Sequence, residues 1–191
     1  LLLGRYLVDS MSKGRPKGLD MGYFWRRSLT GSVIASRFAQ KQIPRAQDEA
    51  FIGALLADIG IPILLEAFPD AYAPLAMEYR PNGTPITQEQ ELEAVEATHA
   101  EVSAMVLAHW TMPDSVTNAV NLQHSPTPGT GEVVTVARIL NSADRIATLL
   151  CGTPSPEIIA DTCTSALEFT GMDEGDLLRL LPSIEEDIRE M

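Results

Sequence analysis

Apolar residues along this chain recur at intervals of three and four, and sustained alternation bounded by hairpin turns is missing. The pattern predicts an all-α fold, a compact multi-helix bundle with additional C-terminal helices. Asp20 is placed to cap a helix over Met21 to Lys41, with Phe24, Gly31, Ile34 and Phe38 on one face. Its small residues, among them Ser32, Ala35, Ser36 and Ala39, suit close packing. Asp48 is read as the next cap, Gly60 as the end of that helix, and Pro62 as the first turn of a continuation through Phe68. A helix over Pro69 to Tyr79 closes in the turn "PNGTP". Two capping boxes, Thr87 with Gln90 and Thr98 with Glu101, place a helix break just before His99. Pro113 opens a helix to about His124, "SPTPGTG" is a loop, and Glu132 to Cys151 is a long helix. After "GTPSP" two more helical stretches follow, one ending near Gly171 and one starting at Asp173.

Polar residues interrupt these apolar stripes. In "FIGALLADIG", Asp58 shares a helical face with Phe51 and Leu55. His99 lies three residues before Val102 and seven before Val106; His124 lies four after Val120; Asp144 lies four after Leu140; Arg27 lies three after Phe24. Each alone has a bland explanation, a hydrogen-bonded core histidine or an aspartate capping a neighbouring helix. An unpaired ion in a core costs on the order of several kcal/mol, so one shared polar pocket is more economical than separate exceptions. Asp and His converging from several helices is the pattern of a divalent-metal hydrolase site in a helical bundle.

Charge narrows the partners. With 26 acidic against 14 basic residues the net charge is -12, which repels phosphate backbones and anionic lipid alike, so neither nucleic acid nor membrane is an expected partner. The 2 cysteines, Cys151 and Cys163, fit neither a CxxC pair nor a zinc knuckle and read as buried thiols in a reducing, cytoplasmic compartment. No apolar stretch is read as approaching the roughly 20 residues that span a bilayer. The chain starts inside an apolar run without an initiator methionine, as a piece of something longer would.

The stretches "FWRRSLTGSVIASRFA", "DEAFIGALLADIG", "THAEVSAMVLAHWTMPDSVTNAVNLQHSP" and "VARILNSADRIATLLCG" resemble an HDOD domain, the signalling branch of the HD phosphohydrolase superfamily. The resemblance is strong from Phe24 to Cys151. It implies an N-terminal remnant and basic loop of a truncated longer domain over 1–20, an HD-like core over 21–152, and a C-terminal helical extension packing on the core over 153–191. Enzymes of that superfamily hold metal with a His on the first helix, a His-Asp doublet and a distant Asp. The resemblance puts Arg27 where the first His is expected and Ala57 where the doublet His is expected, leaving Asp58. Asp144 matches the distant Asp; His99 and His124 match further histidines of multi-metal relatives, while Gln123 stands where a second His often sits.

A guanidinium offers no lone pair and repels a divalent ion, so Arg27 is expected to tie Asp58 and Asp144 together in a metal-free core. The leading expectation is a non-catalytic bacterial regulatory module without catalytic residues or cofactor, with regulatory or signalling proteins as partners. Two alternatives stay open: a metal-dependent phosphohydrolase or phosphodiesterase holding an ion with Asp58, His99, His124 and Asp144, and a dead pocket that binds a nucleotide or cyclic dinucleotide. Ser28, Ser32 and Ser36 have no base placed by sequence and read as packing residues, and His109 as a helix-end residue. The basic loop from Lys13 to Lys17 reads as a solvated loop that could dock a partner.

Overall fold

The structure is a computed structural model and describes residues 18–125, 130–153 and 156–171, together with Gly175, Arg179, Pro182, Ile184 and Glu186. The fold is all-α, with no strand among the described residues. Asp20 caps α1 (Met21–Gln42), its carboxylate accepting from the amides of Gly22 and Tyr23. A 3₁₀ turn (Pro44–Ala46) leads into α2 (Gln47–Leu56), followed by α3 (Gly60–Ala67) and α4 (Pro69–Ala76). Next come α5 (Gln88–Val95), α6 (His99–His109), α7 (Asp114–Asn121), α8 (Glu132–Leu150) and α9 (Pro156–Thr170). Both capping boxes form, and Glu96 in the left-handed region ends α5 so that α6 starts at His99.

Several boundaries differ from the sequence reading. The 3₁₀ turn carries directly into α2, so Ala46 occupies the cap position and Asp48 sits in the first turn, where its charge suits the helix dipole. Gly60 begins α3 instead of ending α2. The helix opened by Pro113 stops at Asn121, which leaves His124 in the following turn. Cys151 and Cys163 are free but half-buried. Pro44–Ala67, 24 residues long, is apolar enough to cross a membrane by length and composition, contrary to the expectation that no stretch approaches that; 56% of its apolar window is buried inside the fold. Lys13 to Lys17 and Asp173 lie outside the described residues.

Two apolar clusters hold the bundle. One gathers Ile34 and Phe38 of α1, Ala50 of α2, Leu107 of α6, Val116 of α7 and Leu140 of α8, joined by Ala166 of α9. The other gathers Tyr23 and Phe24 of α1, Ile61 and Leu64 of α3, Tyr72 of α4 and Tyr79. Helix α1 runs through both, and Arg27 falls between its two contributions. Asp58 likewise falls between Ala50 in the first cluster and Ile61 in the second. The polar residues therefore collect at a seam between two apolar bodies.

Gly60 makes that seam narrow. A Cβ there would stand 2.1 Å from the carbonyl oxygen of His99, and its amide donates to Ser103 Oγ at 2.8 Å, clamping the start of α3 onto α6. Backbone cannot yield as a flexible side chain can. Gly60→Ala is expected to lower stability by about 3 kcal/mol, the upper range for overpacking, read as a reduced urea midpoint, whereas Gly131→Ala, with nothing within 4 Å of its Cβ position but a φ of +132°, loses about 1 kcal/mol through backbone strain alone.

Candidate functional site

Five elements bring the predicted residues together. Arg27 projects from α1, Asp58 from the turn between α2 and α3, His99 from the first residue of α6, His124 from the turn after α7, and Asp144 from α8. Arg27 Nη2 donates to Asp144 Oδ1 at 2.6 Å, and its Nη1 stands 3.7 Å from Asp58 Oδ2. Its guanidinium also lies over the Tyr79 ring, 4.5 Å from the centroid, a cation–π contact. Tyr79 donates its hydroxyl to Asp58 Oδ2 at 2.5 Å. The other carboxylate oxygen, Oδ1, lies 3.6 Å from His99 Nε2.

The two histidines meet edge to face, their Nε2 atoms 2.7 Å apart. Behind His99 stands Glu91, fully buried, 2.8 Å from Nδ1 and accepting the His99 backbone amide at 3.2 Å. Tyr72 donates its hydroxyl to the same carboxylate. Glu91 is thus an acceptor for several donors, which fixes His99 with its Nδ1 proton on the carboxylate and Nε2 facing the pocket. Gln123, also buried, donates Nε2 to the Ala57 carbonyl at 3.1 Å, while Asn141 donates to the Gln123 carbonyl at 2.8 Å. Those bonds tie the His124 turn to the Asp58 turn and to α8.

The Ala57 side chain is buried and offers no ligand atom; beside it a cavity of about 10 Å³, roughly the least that holds one water, is lined by Gly31, Ala54, Gln123 and Asp58. On the open side a pocket of about 430 Å³ reaches from Arg27, Asp58, His99 and His124 out to Arg80, Ile86 and Thr162.

Proton affinities follow from this packing. Burial works against ionised Asp58, but Arg27, the two histidines and the Tyr79 hydrogen bond outweigh it and hold the carboxyl below its ordinary value. Burial prevails at Asp144, lifting its carboxyl above the ordinary value even with Arg27 bound. The two aspartates differ because Asp58 has both the tyrosine proton and the imidazoles, while Asp144 leans on the guanidinium. Burial disfavours charged Arg27, yet Asp144, Tyr79 and Asp58 keep its pKa well above the usual range. Burial also opposes protonation of His99, but the Glu91 hydrogen bond and Asp58 raise it. His124 is pushed down to about 4 by burial and by His99 beside it.

Sequence reasoning singled out Arg27, Ala57, Asp58, His99, His124 and Asp144, and the structure places all of these at the seam. It missed Glu91, Tyr72 and Tyr79. Glu91 sits in the acidic run "QEQELEAVEA", which looks like a solvated helix face; Tyr79 was read as the last residue of a helix. Ser28 and Ser32 are buried without a base, and Gln47 Nε2 donates to Ser36 Oγ at 3.1 Å, consistent with packing roles.

An all-helical bundle with an Asp–His pocket at the junction of its helices is the architecture of the HD class. The HDOD domain family matches residues 1–126, more than half of the chain, and the chain belongs to that family. The match takes in residues 1–20, which the sequence reading set apart, and stops before α8 and Asp144. No curated protein matches the sequence. Among solved structures, the MmoQ response regulator from Methylococcus capsulatus strain Bath is 27% identical with TM-score 0.67, over 88% of this chain and 64% of that one. A candidate phosphohydrolase from Shewanella amazonensis SB2B is 20% identical with TM-score 0.66, over 92% of this chain and 61% of that one. A candidate signal transduction protein from Marinobacter aquaeolei VT8 is 20% identical with TM-score 0.58, over 92% of this chain and 40% of that one. The chain spans less than two-thirds of each of these proteins, and the latter two speak for the fold alone.

The superfamily implies a divalent metal, and the full four-ligand arrangement does not fit here. Positions 27 and 57 supply no ligand atom, and Asp144 is engaged by a guanidinium. What remains is Asp58, His99 and His124, each offering one ligand atom within 4.8 Å of the others.

Two outcomes follow. Arg27→Met leaves Asp58 and Asp144 without their cation and is expected to cost about 3–5 kcal/mol at neutral pH, as for breaking a buried pair; adding Asp144→Leu recovers part of that loss in urea denaturation. In EDTA-treated protein, the depressed His124 means the unfolded chain binds a proton first as pH falls, since free imidazole titrates near ~6.5. Stability therefore drops as pH falls from that value toward about 4, and His124→Gln flattens the slope in that window, seen in denaturation midpoints across the range.

Proposed function

We propose that this HDOD domain is a non-catalytic signalling module that acts by binding partner proteins. The observation that carries this reading is Arg27 donating to Asp144 at 2.6 Å while standing 3.7 Å from Asp58. By the resemblance to the superfamily this fixed cation stands where a ligand is expected, and a guanidinium cannot shed its proton to become one. A hydrolytic site needs enough lone pairs to hold the ion and an open coordination position for water. With Asp144 spent on Arg27, the donors left are Asp58, His99 and His124, one fewer than the four-ligand set and standing beside a fixed cation that repels a divalent ion. The MmoQ likeness, to a protein named as a response regulator, supports a regulatory setting.

A second reading has one observation in its favour. Asp58, His99 and His124 cluster within 4.8 Å, and His99 is oriented by Glu91 as a metal-bound imidazole would be. On this reading those three side chains hold a divalent ion in a reduced site, the ion supplying Lewis acidity, in a nucleotide phosphohydrolase or phosphodiesterase. A nucleotide-binding pocket without catalysis would instead use Arg27 as a phosphate clamp, at the expense of its bond to Asp144.

Elemental analysis after exposure to manganese, iron, zinc and magnesium separates these readings, together with thermal shift against the same ions, nucleotides and cyclic dinucleotides. The expected result is no stoichiometric ion and no rise in Tm; one ion per chain that is lost in His99→Ala overturns the non-catalytic reading. The double variant Arg27→His, Ala57→His is expected to gain an ion, because it removes the repelling guanidinium and adds two imidazoles beside Asp58, where Arg27 and Ala57 both line the same small cavity.

A further inference from the structure

Outside the polar seam, a surface feature on α6 and α7 has no role so far. The exposed residues of α6 are Glu101, Met105, Ala108 and, at its end, His109, the first three spaced four and three apart, and those of α7 are Asp114, Asn118 and Asn121, spaced the same way. Each set forms one stripe, and the tight turn through Thr111, with φ of 60°, brings the two helices side by side. Between the stripes runs an open groove of about 430 Å³ lined by Ala97, Val102, Ala104, Met105, Ala108 and Asn118. Its floor is small and apolar. Met105 on its wall is 70% exposed, more than any other large hydrophobic side chain described.

Charge around the groove has a single sign. No Lys or Arg occurs anywhere from Pro81 to Ala137, while α5 to α7 carry Glu89, Glu93, Glu96, Glu101 and Asp114 on the exposed surface. Glu101 lines the groove, Glu96 directly precedes Ala97 at its edge, and Asp114 lies on the same face of α7 as Asn118 and Asn121. An exposed methionine over an alanine floor is an adaptable apolar seat, because the unbranched thioether re-packs around different side chains. Carboxylates without interspersed cations then select the sign of what sits there and speed its approach.

We propose that the α6–α7 groove docks a basic amphipathic helix of a partner protein. The occupant lays apolar residues spaced i, i+3, i+4 and i+7 on Ala104, Met105 and Ala108, and its lysines or arginines face Glu96, Glu101 and Asp114. This rests on the reading of the domain as a partner-binding module and names the kind of partner. The groove is a separate surface from the pocket that holds Arg27, so the two claims fail separately: metal uptake at Asp58 would sink the non-catalytic reading and leave the groove measurement standing.

The probe is a fluorescent synthetic helix of Leu and Lys in that spacing, compared with a Leu and Glu version and with a scrambled Leu and Lys sequence, titrated against the full chain. The expected result is anisotropy increase with the ordered Lys helix alone, weakening with salt, and amide shifts in ¹⁵N spectra confined to residues 97–121. Met105→Lys is expected to weaken binding at least about tenfold, on the scale of losing a central apolar anchor. Ile159→Lys, a control on α9 at a residue 43% exposed, leaves affinity unchanged, and circular dichroism melts check that both variants fold. Equal binding of the scrambled peptide, shifts spread over the surface, no binding at all, or an unchanged affinity in Met105→Lys overturns the proposal. So does sedimentation showing a dimer that Met105→Lys splits, which assigns the groove to a second copy of this chain.

Discussion

One guanidinium set between a buried carboxylate, Asp58, and a half-buried one, Asp144, is the constraint on which the rest of this structure depends. Asp58 and Asp144 come from different helical elements, and their mutual repulsion in a low-dielectric seam would drive those elements apart. Arg27 draws both toward α1, most closely Asp144 at 2.6 Å. Tyr79 completes the balance on Asp58 by giving it a hydroxyl proton and by setting its ring against the guanidinium. Two carboxylates face one fixed positive charge, and His99 stands beside Asp58 with its proton affinity raised against burial by the Glu91 hydrogen bond and by Asp58. A buried pair of this sort contributes less to net stability than its contacts suggest, because desolvation consumes most of the gain. Breaking it costs more than forming it yields, since loss of Arg27 would strand carboxylates contributed by α8 and by the α2–α3 turn.

The two apolar clusters make that docking possible. Helix α1 passes from the Tyr23–Phe24 end into the Ile34–Phe38 end, with Arg27 at the crossing. A side chain at such a crossing is shielded by apolar residues on both sides yet opens laterally to the pocket, which is why Arg27 is largely covered without being sealed. Gly60 serves the same geometry from the other direction. By letting the α3 backbone touch the His99 carbonyl, it brings the Asp58 turn and the start of α6 within reach of each other. Loosening either support would separate the carboxylate from the imidazole.

Much of this was legible in the sequence because helical periodicity survives where a helix formally stops. Asp58 and His124 were both placed by counting back along apolar stripes, and both lie in turns. Ala57 and Ile59 nevertheless keep right-handed helical backbone angles, as does Leu122 after α7, so the count stays in phase across the break. The caps were readable for a related reason: a capping box is a local contract between residues three apart and needs no tertiary knowledge. Glu91 was not legible. Its neighbours Glu89 and Glu93 are exposed, and only the approach of Tyr72 from α4 and His99 from α6 converts one member of an acidic run into a buried acceptor. Tyr79 was missed likewise, because its partner Asp58 is distant in sequence and α4 ends earlier than its pattern suggests. Local signals fix elements and phase; partners drawn from other helices become visible only when the bundle is assembled.

A guanidinium and a metal ion differ as charge-balancing groups in a way that bears on how such a domain is controlled. A bound metal exchanges with its surroundings, so a metal-held centre reports ion supply and loses its order when the ion leaves. An arginine is tethered to its helix, always charged, and present in every copy of the chain. On the non-catalytic reading, a centre closed by Arg27 has its central charge set by the sequence and not by ion supply. On that reading, signals must then enter from the surface. Helix α6 spans both regions: its first residue, His99, belongs to the polar seam, and its outward stripe from Glu101 to Ala108 forms one wall of the groove. A short helix moves as a unit, held here by the Ser103 bond to Gly60 at one point and by Glu91 at another. The groove wall and the imidazole that faces Asp58 at 3.6 Å are thus parts of one helix, which places surface and seam one element apart.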